Sequence, residues 1–473
     1  MSSMPQPSSN FPNIAEHSRL SGSASTKPRL IVIDDNVRSI GGHYYELANL
    51  LMSGAQRWGY QPVLAAHETF QTSSAACLQH RLLPTFRTRR MVRWSLGVDG
   101  DSRLPRDIQG RIVGGSILDR AKQAIRDRME IPSKRPQRML AQWSDDFCRL
   151  MKRIEPTSSD VILVNTGDDF VMLALANALS RLKLASMRID VIFHFALVDQ
   201  LSVSHSNSPT LQSIHRQMRT ALESLKPHQV ALHATTPSLA EQWRKVELRL
   251  PVTAIPYPTR QRTIHQSDSS KQPIKAVLAG LPRAEKGREA IHDFLSEIHE
   301  PHLRSQRYQL SMQMPAAKWQ GLIPLPLHQA YSQSLAGDQN GPLEIMTANL
   351  TTDDYHRWLD TADLGLFLYE PERYVARCSG VLLEMLSRGV PVIVPDRCWL
   401  AEQVRRAGGH RSIGFIYQNR AEIPDLMQQF TKNRAAMSGR AIAYADKVRA
   451  EHSGTNTLRV MGLDNATREF KAA

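Results

Sequence analysis

The chain is short of several things, and each shortage narrows what it can do. Its four cysteines, Cys77, Cys148, Cys378 and Cys398, are too widely spaced for a Cys-x-x-Cys metal or redox pattern. Reduced thiols in a cytoplasmic protein are the expectation. The 17 histidines are scattered, with no His-Glu-x-x-His pair, so neither a metal nor another cofactor is expected. No apolar run approaches the roughly 18 residues that span a bilayer, and the N-terminus shows no apolar signal core. Acid is also scarce: 45 Asp and Glu face 59 Lys and Arg, for a formal net charge of +14.

That excess of base is concentrated. Residues 81–140 hold 15 Arg and Lys against 6 Asp and Glu, and Phe86-Arg87-Thr88-Arg89-Arg90-Met91-Val92-Arg93-Trp94 interleaves cations with apolar and aromatic side chains. Three readings fit: a solvated basic insertion, a segment lying on the anionic inner face of a membrane, or a contact to nucleic acid. The last is the least favoured.

A chain of 473 residues exceeds a single core and predicts two domains. Residues 1–28 are rich in Ser, Pro and Asn without periodicity and read as a disordered tail. Apolar runs at Arg29–Asp34, Gln61–Ala65, Val161–Asn165, Val191–Phe195, Val230–His233 and Val252–Ile255 read as strands. With a helix from about Gly42 to Trp58, they predict a doubly wound domain over 29–258 carrying a basic insertion at about 81–140. The polar, proline-bounded stretch 259–273 reads as a linker. A second set of strands at Ile274–Ala279, Gln309–Met312, Leu343–Met346, Ala362–Leu368 and Val390–Val394 predicts a second α/β domain over 274–445. A helical tail, 446–473, follows. Two such halves put the main cleft between the carboxyl ends of their strands.

The most informative stretch runs from Cys378 to Pro395. Ser379 caps a helix whose apolar positions are Val381, Leu382, Met385 and Leu386, and a buried strand follows. A helix opening at Ser379-Gly380 directs free backbone N–H groups forward, which suits an anion. Glu384 lies one turn in, off the apolar stripe, where a carboxylate suits ribose hydroxyls. The alternative is a core helix with Glu384 paired to Arg388 at i,i+4.

This stretch resembles the C-terminal signature of family 4 retaining glycosyltransferases, the group 1 enzymes of the GT-B fold. There, two glutamates separated by seven residues precede a strand of the form Gly-x-Pro-Val. Glu384 falls on the second glutamate, which the resemblance assigns to donor ribose. The first falls on Ala376, a departure from the family; Glu370 or Glu372 could substitute. Gly280-Leu281-Pro282-Arg283-Ala284-Glu285-Lys286-Gly287 resembles the family's Arg/Glu-Lys-Gly segment, with the usual arginine position occupied by Leu281.

The resemblance implies two Rossmann-like domains facing across a cleft and transfer of a sugar, with retention, from a nucleoside-diphosphate donor to a glycan or lipid-linked acceptor. Surface polysaccharide or glycoconjugate synthesis is the expected setting. Lys286 and Arg283 would neutralise the diphosphate leaving group, with His194 against the donor sugar, as catalytic residues. Gly42, Ser379, Gly380, Val381, Leu382 and Glu384 would bind donor; His43 and Asp168 would bind acceptor. Asp34-Asp35 reads as a polar strand end and not as a metal pair. Two rival functions remain at this stage: a catalytically silent sugar-nucleotide-binding or scaffold protein, and a GT-B sugar-nucleotide epimerase.

Overall fold

The computed structural model describes residues 27–40, 42–70, 80–88, 135–197, 209–260, 262, 272–314, 321–338, 340–347 and 350–464. Thirteen strands among them form two wholly parallel sheets. The first contains β1 (Arg29–Asp34), β2 (Gln61–His67), β3 (Arg81–Phe86), β4 (Val161–Gly167), β5 (Arg188–Phe193), β6 (Gln229–Ala234) and β7 (Val252–Ala254). The second contains β8 (Ile274–Leu278), β9 (Tyr308–Gln313), β10 (Leu343–Met346), β11 (Leu364–Leu366), β12 (Val392–Pro395) and β13 (Gly414–Tyr417). Central strands such as β4 are buried at every position, because helices cover both faces of a parallel sheet.

The strand orders locate the functional end of each sheet. The first runs β3-β2-β1-β4-β5-β6-β7 and the second β10-β9-β8-β11-β12-β13. The chain leaves β1 in one direction and returns beside it as β4; β8 and β11 repeat the device. Loops following those four strands therefore flank the switch points, where doubly wound sheets open a crevice. Each sheet lies between two apolar clusters, one on each face.

Three strands differ from the sequence expectation. Residues 81–140 read as a basic insertion, yet the first six of them form β3, the edge strand of the first sheet. Its residues lack a clean apolar alternation, and Pro84 is tolerated because an edge strand has one side free of ladder bonds. β13, only four residues and opened by Gly414, was not anticipated either. β11 is shorter than the run 362–368. Residues 89–134, most of the basic insertion, lie outside the described residues, as do 1–26, 263–271 and 465–473.

The chain's end ties the two domains together. A 29-residue helix, Ile423–Glu451, packs on the second domain through Met427, Phe430 and Met437. The next helix, Gly454–Val460, lies on the first-domain helix Gly42–Arg57, where Gly454 leaves no room for a side chain against the Leu50 carbonyl. Tyr60 Oη donates to Leu463 O at 3.1 Å, and Thr259 N to His452 O at 2.8 Å. Arg260, just before the described chain breaks, pairs with Glu46 of the first domain at 3.2 Å and Asp353 of the second at 2.7 Å. No described helix is long and apolar enough to cross a membrane.

Candidate functional site

The loop after β8 turns sharply at two glycines. Gly280 has φ +94° and Gly287 φ +78°, both in the left-handed region. A β-carbon on Gly280 would occupy the place of the Lys286 ammonium, and one on Gly287 would strike the Leu368 carbonyl. Lys286 Nζ thereby stands over the mouth of β8, 5.5 Å from the Tyr369 ring that follows β11. Burial pushes the ammonium below its ordinary pKa, with the charges of Arg283 and Arg377 adding to the shift. No ion pair or hydrogen bond engages it among the described residues. Arg283 differs: it lies 3.9 Å from Glu285 and is substantially exposed. Beside Lys286, a small pocket is walled by Leu281, Ile291, Met312, Met314 and Tyr369.

After β11 the chain runs through a short turn, Pro371–Tyr374, to the helix Gly380–Ser387. The Ser379 hydroxyl accepts from Leu382 N at 3.3 Å. That bond removes the Leu382 amide from the expected donor-binding set and leaves those of Gly380 and Val381, which lack an acceptor among the described residues. Tyr257, arriving from the first domain, lies in van der Waals range of a β-carbon on Gly380.

Glu384 does not pair with Arg388 through its carboxylate. Arg388 is fully buried, so its guanidinium takes every acceptor within reach: Asp360 at 2.7 Å, the Glu384 carbonyl at 2.8 Å and His356 Nδ1 at 2.8 Å. Burial and the Arg388 charge push His356 down to about 3, so its imidazole is neutral and Nδ1 can accept. The Glu384 carboxylate instead accepts from Tyr355 Oη at 3.0 Å. Burial lifts its pKa to about 7, against the opposing effects of Arg388 and Tyr355.

On the first-domain side, His194 follows β5. Its Nε2 donates to the Asn165 carbonyl at 2.6 Å, since a carbonyl can only accept. Burial holds it near 4, so it is neutral above about pH 5. Its ring meets Tyr257 edge-on at 5.9 Å, which brings His194 close to the Gly380 helix tip. Asp34 is committed to structure: it accepts from Asn165 Nδ2 at 2.7 Å, Thr166 Oγ1 at 2.9 Å and Asn36 N at 3.0 Å, and burial lifts it to about 6. Asp168 caps the helix Asp169–Ser180 through Val171 N at 2.8 Å, the commonest use of such a residue. Gly42 opens the helix after β1, but Gly41 and the side chain of His43 lie outside the described residues. No three His, Cys, Asp or Glu side chains converge as a metal site among the described residues.

Ala376, where the family pattern has a glutamate, is fully buried in the apolar cluster of the first domain. Its carbonyl accepts from Thr236 Oγ1 at 2.8 Å, a bond across the two domains. The next residue, Arg377, escaped the sequence reading. Its guanidinium stands 5.6 Å from the Phe195 ring and 5.5 Å from the Tyr374 ring.

The architecture is that of known glycosyltransferases. The chain has the GT-B fold. A sucrose-phosphate synthase from Thermosynechococcus elongatus superposes with a TM-score of 0.58 at 11% identity, covering 94% of this chain and 100% of its own. A glycosyltransferase from Rickettsia africae gives 0.54 at 10% identity, with 95% and 100% covered. An E. coli trehalose-6-phosphate structure bound with UDP-2-fluoro glucose gives 0.54 at 11%, with 92% and 99% covered. No protein-family model matches the chain, and no curated sequence matches it.

Proposed function

We propose that the chain is a glycosyltransferase moving a sugar from a nucleoside-diphosphate donor to a glycan or lipid-linked acceptor, with retention of configuration. One observation carries the reading. Lys286, a partly buried ammonium in no ion pair among the described residues, stands at the second domain's switch point, lining a small pocket with Tyr369. The free Gly380 and Val381 amides lie at the helix following the adjacent strand, β11. Such a nest suits a diphosphate, and cations fixed before reaction stabilise the charge that develops on a departing diphosphate. Glu384 would receive ribose hydroxyls and neutral His194 the donor sugar. The lobes would exclude water from a hydrolysable donor. The solved neighbours support this, since one holds UDP-2-fluoro glucose in the same fold.

A thermal-shift screen against sugar nucleotides, followed by transfer from a labelled donor, tests the reading. A rise in melting temperature with a matching nucleotide sugar is expected. No shift with any nucleoside diphosphate or its sugars would overturn it. The absence of a carboxylate at Ala376 favours a second reading, a catalytically silent donor-binding protein; donor affinity without turnover across acceptor panels would select it. A free epimerised nucleotide sugar formed without acceptor would select an epimerase instead.

The composition of residues 81–140 supports cytoplasmic work on an anionic membrane face, in surface polysaccharide or glycoconjugate synthesis. Co-sedimentation with anionic vesicles that falls steeply with salt is the expected result; absent or salt-independent binding would refute it.

A further inference from the structure

Among the described residues, Arg377 is a charge that the reading above leaves unused. It is partly buried, yet no acceptor or counter-ion engages any of its N–H groups among the described residues. Its five donors keep some contact with solvent in the cleft, and the ring faces beside them satisfy none. A cation so placed, open to the cleft and bonded to no acceptor, is available to an anion. Its position says which anion. Tyr374 beside it packs 4.5 Å from the Tyr369 ring, over which Lys286 lies at 5.5 Å, and Phe195 on its other side is the residue after His194. Arg377 therefore stands between the ammonium at the mouth of β8 and the histidine after β5. Arg283, the second cation implied by the family resemblance, is more exposed and lies beside Glu285.

We infer that Arg377, rather than Arg283, is the second catalytic cation on the diphosphate, and that closure of the two lobes holds it in place. The inference rests on the glycosyltransferase reading and adds to it a residue and a device. The two rings flanking the guanidinium come from different lobes: Phe195 follows β5 of the first, Tyr374 follows β11 of the second. Opening the cleft removes the Phe195 face and leaves the guanidinium without its first-lobe seat. Closing it presents the charge, with Lys286, to the leaving group. Leaving-group neutralisation is thus coupled to exclusion of water. The family's first glutamate position is used otherwise: Ala376 anchors this loop against the first domain and aims the residue after it into the cleft.

The test measures nucleoside-diphosphate affinity by calorimetry and turnover of a labelled donor, in the full chain. Arg377→Ala is expected to lower kcat at least about 100-fold, with partial rescue by millimolar guanidinium ion, which a merely structural loss would not show. Arg283→Ala is expected to change kcat less than about threefold. Phe195→Leu keeps the cation but loosens its lobe-bridging seat, and is expected to lower kcat more than it weakens nucleoside-diphosphate binding. A dominant effect at Arg283, an Arg377→Ala variant with wild-type turnover, or a loss that guanidinium does not rescue would overturn the assignment. If wild-type protein binds a nucleoside diphosphate and depends on Lys286 while Arg377 is dispensable, only this inference falls. If wild-type protein binds no nucleoside diphosphate, the functional reading falls and takes this one with it.

Discussion

The Lys286 ammonium occupies the space that a side chain on Gly280 would fill. Glycine at 280 is therefore required twice, for its positive φ and for the room it leaves the cation. Gly280→Ala should displace Lys286 without deleting it. Both Gly280→Ala and Lys286→Ala are expected to cut donor turnover by about 100-fold or more, the usual effect of removing one fixed group from a developing charge. Steady-state kinetics with a labelled donor reads this out. Wild-type rates in Lys286→Ala would remove the diphosphate clamp.

Glu384 couples function to stability in opposite directions. Its folded pKa of about 7 exceeds the ordinary 4.5, so between those values the native state holds a proton that the unfolded chain has lost. The stability this group contributes is complete below about pH 4.5 and is lost as pH rises through 7. Donor binding should run the other way, because ribose hydroxyls donate to the ionised form. Glu384→Gln should raise the melting temperature of the free protein more at pH 8 than at pH 5, while weakening donor binding at pH 8. Tyr355→Phe removes a donor that favours the charged form, so the acid limb of donor affinity should move to higher pH. Melting curves and calorimetric titrations across pH 5–8 check both; a pH-independent donor affinity would refute the role of the carboxylate.

How much of this could be read beforehand depends on sequence distance. The parallel sheets were legible because buried strands are near-continuous apolar runs, as at β1 and β4. β3 was not, because an edge strand carrying Pro84 and alternating poorly offers no period to detect. The Glu285-Lys286-Gly287 turn is local, and its two glycines announce a tight bend. Contacts made across long stretches of chain left no trace. Tyr355 reaches Glu384 over 29 residues, and Arg388 turns from its helical neighbour toward Asp360, 28 residues away. Arg377 was hidden for the same reason, since one of its two flanking rings, Phe195, comes from the other domain.

The buried Ala376 changes what its replacement should do. On the family pattern alone, a glutamate there would touch the donor sugar. In the structure its methyl group packs in the apolar cluster of the first domain, with no open space around it. Ala376→Glu would force a larger, charged side chain into that cluster, and overpacking alone costs about 1–3 kcal/mol. A lowered melting temperature with no gain in donor affinity or rate is the expected outcome. A stable variant with altered donor handling would show that position 376 does face the sugar.

Arg388 sets the seat of Glu384 from behind. It has no solvent contact and binds Asp360, His356 and the Glu384 carbonyl together, so removing it leaves acceptors on two elements without their donor. Asp360 is 36% exposed and keeps water, but leaving the buried His356 and Glu384 carbonyl acceptors without a donor costs about 1–3 kcal/mol each. Arg388→Met should therefore lower stability to denaturant by that order. Arg388→Lys should recover only part of it, since an ammonium cannot serve three acceptors in the fork geometry of a guanidinium. The Arg388 charge also opposes the burial that raises Glu384. In Arg388→Met the carboxyl should therefore titrate still higher, and donor affinity at pH 7 should fall further than the fraction of unfolded protein accounts for. Affinity that tracks the folded fraction alone would confine Arg388 to holding the helix.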